Sequence, residues 1–219
     1  MKKSKKPALN RRSLYKKELP NLLRDIRLLK GISSRMFNKE INIKAGKKMT
    51  SCKEVFKTEW FSIEAVSYND SNEKPYYRLS CDDSVGILAV TSDQKIILVR
   101  QFRPAIGMHP LELPSGYLDK KESMEDAIKR ELLEETGFVC DSVTYVGPLQ
   151  VCLSRIDSTH HIFFGKGAKK ISAIMDKKEI EEINLVTQDE FEKLIIEKKF
   201  LTSSGIATYY LAKIKGLLQ

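Results

Sequence analysis

Between residues 60 and 102, apolar and polar positions fall into short blocks rich in β-branched and aromatic residues. They predict strands at Trp60–Tyr68, Tyr76–Cys81, Val85–Thr91 and Lys95–Phe102, with Asn69–Lys74 as a turn-rich link between the first two. A further short strand is expected at His109–Leu113. The period then changes. Met124, Ala127, Ile128, Leu132 and Leu133 recur at helical spacing and can seat one helix on a core. Strands follow around Val143–Val151, His161–Gly165 and Ile183–Val186. Thr187 and Glu190 form a capping-box pattern that opens a helix through Phe191, Leu194 and Ile195, and a last helix is expected from about Ser204 to Leu217. Strands, one central helix, more strands and terminal helices predict an α/β fold, an α/β/α sandwich on a mixed sheet. There is no internal repeat.

The chain has 219 residues, ample for one well-packed domain with an appendage. No apolar stretch approaches the ~18 residues of a transmembrane helix, so no membrane association is expected. The net charge of +9 is uneven. Residues 1–50 hold 16 Lys and Arg against 3 acidic residues, or +13, which leaves −4 for residues 51–219. We therefore divide the chain into a basic N-terminal extension, 1–50, and a main domain, 51–219. The extension is expected to be partly disordered or to carry one short helix through Leu19, Leu22, Leu23, Ile26 and Leu29. Such a block is suited to nucleic acid or another anionic partner. It lacks the uninterrupted apolar run of a secretory signal, and its acid-poor, amphipathic character is also compatible with an organellar transit peptide. Cys52, Cys81, Cys140 and Cys152 show neither CxxC pairing nor histidine ligand spacing, and are read as reduced thiols of a cytoplasmic protein.

The central helix carries the chemistry. Glu131, Glu134 and Glu135 stand at spacings of three and four, which puts three carboxylates on one face. Like charges at i,i+4 cost about 0.2–0.5 kcal/mol per pair, and carboxylates near a helix C-terminus also oppose its dipole. A bound divalent cation accounts for that arrangement better than solvation does. The run from Gly116 through Glu122, Arg130-Glu131-Leu132 and Glu134-Glu135 to Gly137-Phe138 resembles the Nudix box, G-x5-E-x7-R-E-U-x-E-E-x-G-U with U apolar, at every fixed position. The resemblance implies a Nudix-type sandwich with an N-terminal strand pair, Mg2+ as cofactor with Mn2+ able to substitute, and Glu131, Glu134 and Glu135 as metal ligands. Gly116, Glu122, Arg130 and Gly137 would then be structural: Gly116 for close approach, Gly137 for the left-handed helix end, and Arg130 pairing with Glu122 beside the acidic cluster.

Outside the box, Arg100-Gln101-Phe102-Arg103-Pro104 and Glu112-Leu113-Pro114-Ser115-Gly116 resemble segments of the ADP-ribose and nucleotide-sugar pyrophosphatase group, over roughly residues 55 to 215. That group implies hydrolysis of the diphosphate bond of a nucleoside diphosphate sugar, with ADP-ribose giving AMP and ribose 5-phosphate. It also implies a homodimer in which N-terminal strands complete the partner's site. Expected substrate contacts are Arg103, whose guanidinium suits phosphate oxygens, Trp60 as a base-stacking platform, Arg78, Arg155 and Glu112. Where ADP-ribose-preferring members commonly carry a Pro-containing loop beyond the box, this chain has Leu153-Ser154-Arg155-Ile156-Asp157. His160 and His161 alternate faces of a strand and are both read as structural.

Metal-bound carboxylates are poor proton acceptors. The general base is therefore expected in the loop Glu179–Glu182, with Glu182 preferred over Glu181 and Glu179, and with Glu135 as a further catalytic carboxylate. Two other classes compete: an RNA 5′-end pyrophosphohydrolase that uses the basic arm, and a non-catalytic nucleotide- or RNA-binding protein of the same fold. The intact set of metal carboxylates speaks against a pure binder, and only Tyr15 and Phe37 are aromatic within residues 1–50.

Overall fold

The computed structural model describes residues 48–68, 74–119, 121–173 and 179–218. The helix expected near Leu19–Leu29 and most of the link Asn69–Lys74 lie outside them.

Strand β4 (Ser84–Thr91) shows why the centre of the molecule is built as it is. Its apolar residues run without alternation because both of its faces are covered. Val85, Ile87 and Ala89 pack with Ala127, Ile128 and Leu132 of helix α1 (Met124–Thr136). Leu88 and Val90 pack on the opposite side with Phe191, Phe200 and Tyr209. These last come from helix α2 (Gln188–Ile196), helix α3 (Ser203–Ile214) and the segment joining them. The result is a helix layer on each face of one sheet.

That sheet has the order β12-β5-β4-β11-β8. Its members are β5 (Ile96–Gln101), β8 (Phe138–Val139), β11 (His160–Lys170) and β12 (Ile180–Val186) around β4. The short strands β6 (Leu111–Glu112), β7 (Ser115–Tyr117) and the longer β9 (Ser142–Leu149) pair β5, β4 and β11 respectively. Strands β4 and β11 run parallel, with Ser84 opposite His160, while β4–β5, β5–β12 and β9–β11 are antiparallel. The sheet is mixed, as expected.

A second, four-stranded sheet has the order β1-β2-β3-β10, from β1 (Met49–Lys57), β2 (Ser62–Tyr68), β3 (Tyr76–Ser80) and β10 (Ile156–Asp157). Strand β1 begins two residues before our boundary at 50/51 and was not foreseen, because all nine of its residues are exposed and no buried face shapes its pattern. The first expected strand loses Trp60, which sits in the turn between β1 and β2. There Thr58 Oγ1 accepts from the backbone N–H groups of Trp60 and Phe61. The strand expected at Ile183–Val186 begins earlier, at Ile180. Glu181 and Glu182 therefore belong to β12 and not to a flexible loop. Among the described residues no helix is long and apolar enough to cross a membrane.

Candidate active site

Helix α1 is punctuated at both ends. Ser123 caps its N-terminus by accepting from the Asp126 backbone N–H, and Gly137 ends it at φ 74°, where a Cβ would meet the Ser172 backbone. Ala127, Ile128 and Leu132 face the core, while Glu131 and Glu135 meet β7. On β7, a Cβ at Gly116 would overlap the Glu131 carboxylate, so only glycine lets that side chain lie over the backbone. Glu135 is buried, and the Ser115 backbone N–H donates to its Oε2 at 3.0 Å.

Arg130 binds the cluster together. It donates to Glu122 Oε1 at 2.6 Å, to Glu131 Oε1 at 2.8 Å and to Glu134 Oε2 at 3.2 Å. The guanidinium holds the Glu122 carboxyl below the usual range. Glu131 is pushed up, chiefly by burial. Burial and the neighbouring Glu131 and Glu112 charges push Glu135 up to about 8, against the Ser115 hydrogen bond and Arg103. A buried carboxylate that is this costly to ionise, beside two more on the same helix face, is a hard-oxygen donor set that a divalent cation fits. Among the described residues no three such side chains yet converge on one point as a closed cage. Arg130 draws Glu131 and Glu134 to itself.

All three glutamates line one cavity of about 540 Å3, together with Arg130, Gly116, Ser115, Tyr117, Ser84, His160, Gln101, Arg103, Trp60 and Glu179. Its mouth holds two large exposed rings, Trp60 at 66% exposure and Tyr117 at 55%. Arg103 reaches it from the turn after β5, held by a fork to Glu112: Nε to Oε1 at 2.8 Å and Nη2 to Oε2 at 2.7 Å. Glu112 thus orients Arg103 and is not itself in the cavity wall.

The remaining expected site residues fall elsewhere. Arg78 donates to Glu64 at 2.8 Å and pairs with Asp157 at 2.6 Å, tying β2, β3 and β10 together. Arg155 lies over the Tyr76 ring at 4.4 Å and donates to the Tyr77 carbonyl. Neither lines the cavity. Of the three glutamates expected to supply a base, Glu179 alone does. Glu182, the one preferred on sequence, accepts from Arg100 Nε at 2.9 Å, and that bond holds it below the usual carboxylate range. Glu181 faces His109 Nδ1 at 2.7 Å. Glu182 is paired opposite Arg100 in the β12–β5 ladder, Glu181 falls at the irregularity beside it, and neither lines the cavity.

Ser84 and Tyr117 are wall residues that the sequence did not single out, Gln101 entered only within a segment resemblance, and His160, read on sequence as structural, also lines the cavity. Ser84 Oγ and His160 Nδ1 stand 2.8 Å apart across the β4–β11 pair, burial pushes the imidazole pKa down, and a Cβ at Gly86 would strike its ring. Only the parallel pairing of β4 with β11 brings them together, and no local pattern announces that pairing.

A family model described as the NUDIX domain matches residues 82–203. A methanol dehydrogenase activator of Bacillus methanolicus is 31% identical over 131 residues, covering 58% of this chain and 71% of that protein. An ADP-ribose pyrophosphatase of Bacillus subtilis (strain 168) is 30% identical over 141 residues, covering 62% and 75%. Among solved structures, an ADP compounds hydrolase superposes with a TM-score of 0.68 at 21% identity, covering 78% of this chain and 95% of that one; this likeness speaks to the fold.

Proposed function

We propose, from the premise that this chain belongs to the NUDIX domain family, that it hydrolyses the diphosphate bond of a nucleoside diphosphate sugar, ADP-ribose first among them, to AMP and ribose 5-phosphate. The observation that carries this reading is one cavity of about 540 Å3. It collects the three box carboxylates, the braced guanidinium of Arg103, an exposed indole and one further carboxylate.

Glu131, Glu134 and Glu135 would hold the divalent cation, which we take to be Mg2+ with Mn2+ able to replace it. When bound, the cation neutralises diphosphate charge and lowers the pKa of a coordinated water. The chain's own groups do the rest. Arg103, fixed by Glu112, offers its guanidinium edge to phosphate oxygens. Trp60 provides a stacking face for the base, a contact that contributes about 1–3 kcal/mol. Arg130 and Glu122 hold the end of the acidic row in place. Glu179 takes the role of general base, since it shares the cavity wall with the box carboxylates and lies outside their row.

Three wider readings belong to the same proposal. The four-stranded sheet and its β1–β2 turn expose Val55, Phe56, Trp60, Tyr76 and Tyr77, a surface that supports association with a second copy of the chain through this sheet. Free cysteines throughout support a cytoplasmic location. The basic segment 1–50 is read as a separate appendage with affinity for nucleic acid, which should fall steeply with salt.

The test is a phosphatase-coupled phosphate-release screen with Mg2+ over ADP-ribose, ADP-glucose, GDP-mannose, NADH, diadenosine polyphosphates and 5′-triphosphate RNA. A nucleotide sugar should lead. Turnover of 5′-triphosphate RNA alone would move the protein to the RNA-directed class, and no turnover with retained binding would make it a sensor.

A further inference from the structure

Of the wall residues to which this reading gives no task, one is polar and buried without a partner among the described residues. Gln101, the last residue of β5, is only 3% exposed. Its side-chain nitrogen is closed off from solvent and has no hydrogen-bond acceptor among the described residues. Folds rarely leave a buried amide donor unpaired, and where they do the position calls for an explanation. Packing does not supply one: Leu98 and Val99 on the same strand are apolar and fully buried, and an apolar residue of glutamine's length would fill this place without a stranded donor.

The surroundings indicate what the donor serves. Arg103 lies two residues further along the chain and lines the same cavity, as does Glu179, which adjoins Ile180, the cross-strand partner of Gln101. Gln101 thus lines the same cavity as the guanidinium that draws an anion into it, two positions along the chain. Glutamine's last torsion has a broad two-fold profile, so a half-turn exchanges nitrogen and oxygen without moving the rest of the side chain. Phosphate oxygens only accept hydrogen bonds, and an amide N–H2 gives them direction without adding charge.

We infer that Gln101 is a substrate-binding residue whose carboxamide N–H2 donates to a diphosphate oxygen beside Arg103. This rests on the hydrolase reading above. The unpaired donor is the mark of a group built for the complex and left unsatisfied in the free protein.

The experiment uses the full chain with Gln101→Met, which keeps length and removes both polar atoms, and Gln101→Glu, which keeps shape and replaces the donor. Melting, KM and kcat for ADP-ribose are measured, together with calorimetric binding of inorganic pyrophosphate and of adenosine in Mg2+. For Gln101→Met we expect melting at or above the wild-type temperature and a KM about 10-fold higher, the size of a lost hydrogen bond to a charged group. Its kcat should stay within about 3-fold, pyrophosphate binding should weaken about as much as KM rises, and adenosine binding should not change. Gln101→Glu should raise KM further. A Gln101→Met protein that melts several degrees lower with unchanged KM overturns the inference, as does pyrophosphate binding that is equal in both proteins or absent from the wild type. Pyrophosphate binding that depends on Gln101 in a protein that turns over no nucleotide sugar would sink the hydrolase reading and leave this assignment standing.

Discussion

Glu112→Gln isolates the fork that aims Arg103. The substitution keeps volume and hydrogen-bonding capacity but places an N–H2 against a guanidinium N–H, so one leg of the fork is lost and the other loses its charge. Hydrogen bonds to charged groups contribute about 1.5–3 kcal/mol, and removing one partner of a fully buried pair costs about 3–5 kcal/mol. Here the Glu112 side chain is 10% exposed but that of Arg103 is 41% exposed, so water takes over part of the loss. We expect about 1–2 kcal/mol, or about 3–6 °C in Tm for a domain of this size. The functional loss should be larger in proportion. A guanidinium released from its brace is misplaced by an ångström or more, which can reduce kcat/KM by about 10²-fold. The assay is a cycle of wild type, Glu112→Gln, Arg103→Met and the double variant, each by thermal melt and by kcat/KM on ADP-ribose. If Glu112 acts by aiming Arg103, the double variant is no slower than Arg103→Met. Wild-type kcat/KM in Glu112→Gln, or losses that simply add in the double variant, would refute the reasoning.

Three further outcomes follow from the same geometry. Glu135→Gln should reduce turnover by at least ~10²-fold at saturating Mg2+ yet leave the melting temperature in chelator undiminished, because an ionised carboxylate is disfavoured at that buried position; a destabilised protein in chelator would contradict it. Among Glu179→Gln, Glu181→Gln and Glu182→Gln, only the first should lose ~10²-fold in kcat, and a loss confined to Glu182→Gln would return the base to strand β12. Glu122 is held below the ordinary carboxylate value of 4.5 by Arg130, so its contribution to stability is present above that value and is lost as pH falls through the lower folded one. Glu122→Gln should therefore melt lower than wild type at neutral pH, and the two Tm curves should meet in strongly acidic solution.

The residues of helix α1 were legible in the sequence because everything they need is local. The carboxylate row, the apolar face and the terminating Gly137 follow from spacing along one element, and the Arg130–Glu122 pair implied by the box resemblance closes beside it. The buried strands β4 and β5 were legible for a related reason, since both faces are covered and the apolar run is continuous. Glu181 and Glu182 were misread as loop residues because their polar side chains hide the strand, whose formation depends on the partner β5 and on Arg100 and His109. Arg78 and Arg155, expected at the substrate, are consumed by neighbours on the smaller sheet that no local pattern connects to them.

The parallel pairing of β4 with β11 also bears on how the protein is made. Ser84 and His160 are 76 positions apart in the chain, so the middle of the sheet stays open until most of the chain has left the ribosome. Closing so long a connection carries a high entropic cost before any contact rewards it, and non-local pairings of this kind slow folding. Until β11 arrives, the apolar edge of β4 is exposed to aggregation and to chaperone capture. The candidate active-site cavity is completed by the same event, because Ser84 and His160 form part of its wall. Lesions in β11 should accordingly be registered in the cell as lost yield of soluble protein before they are registered as a slower enzyme.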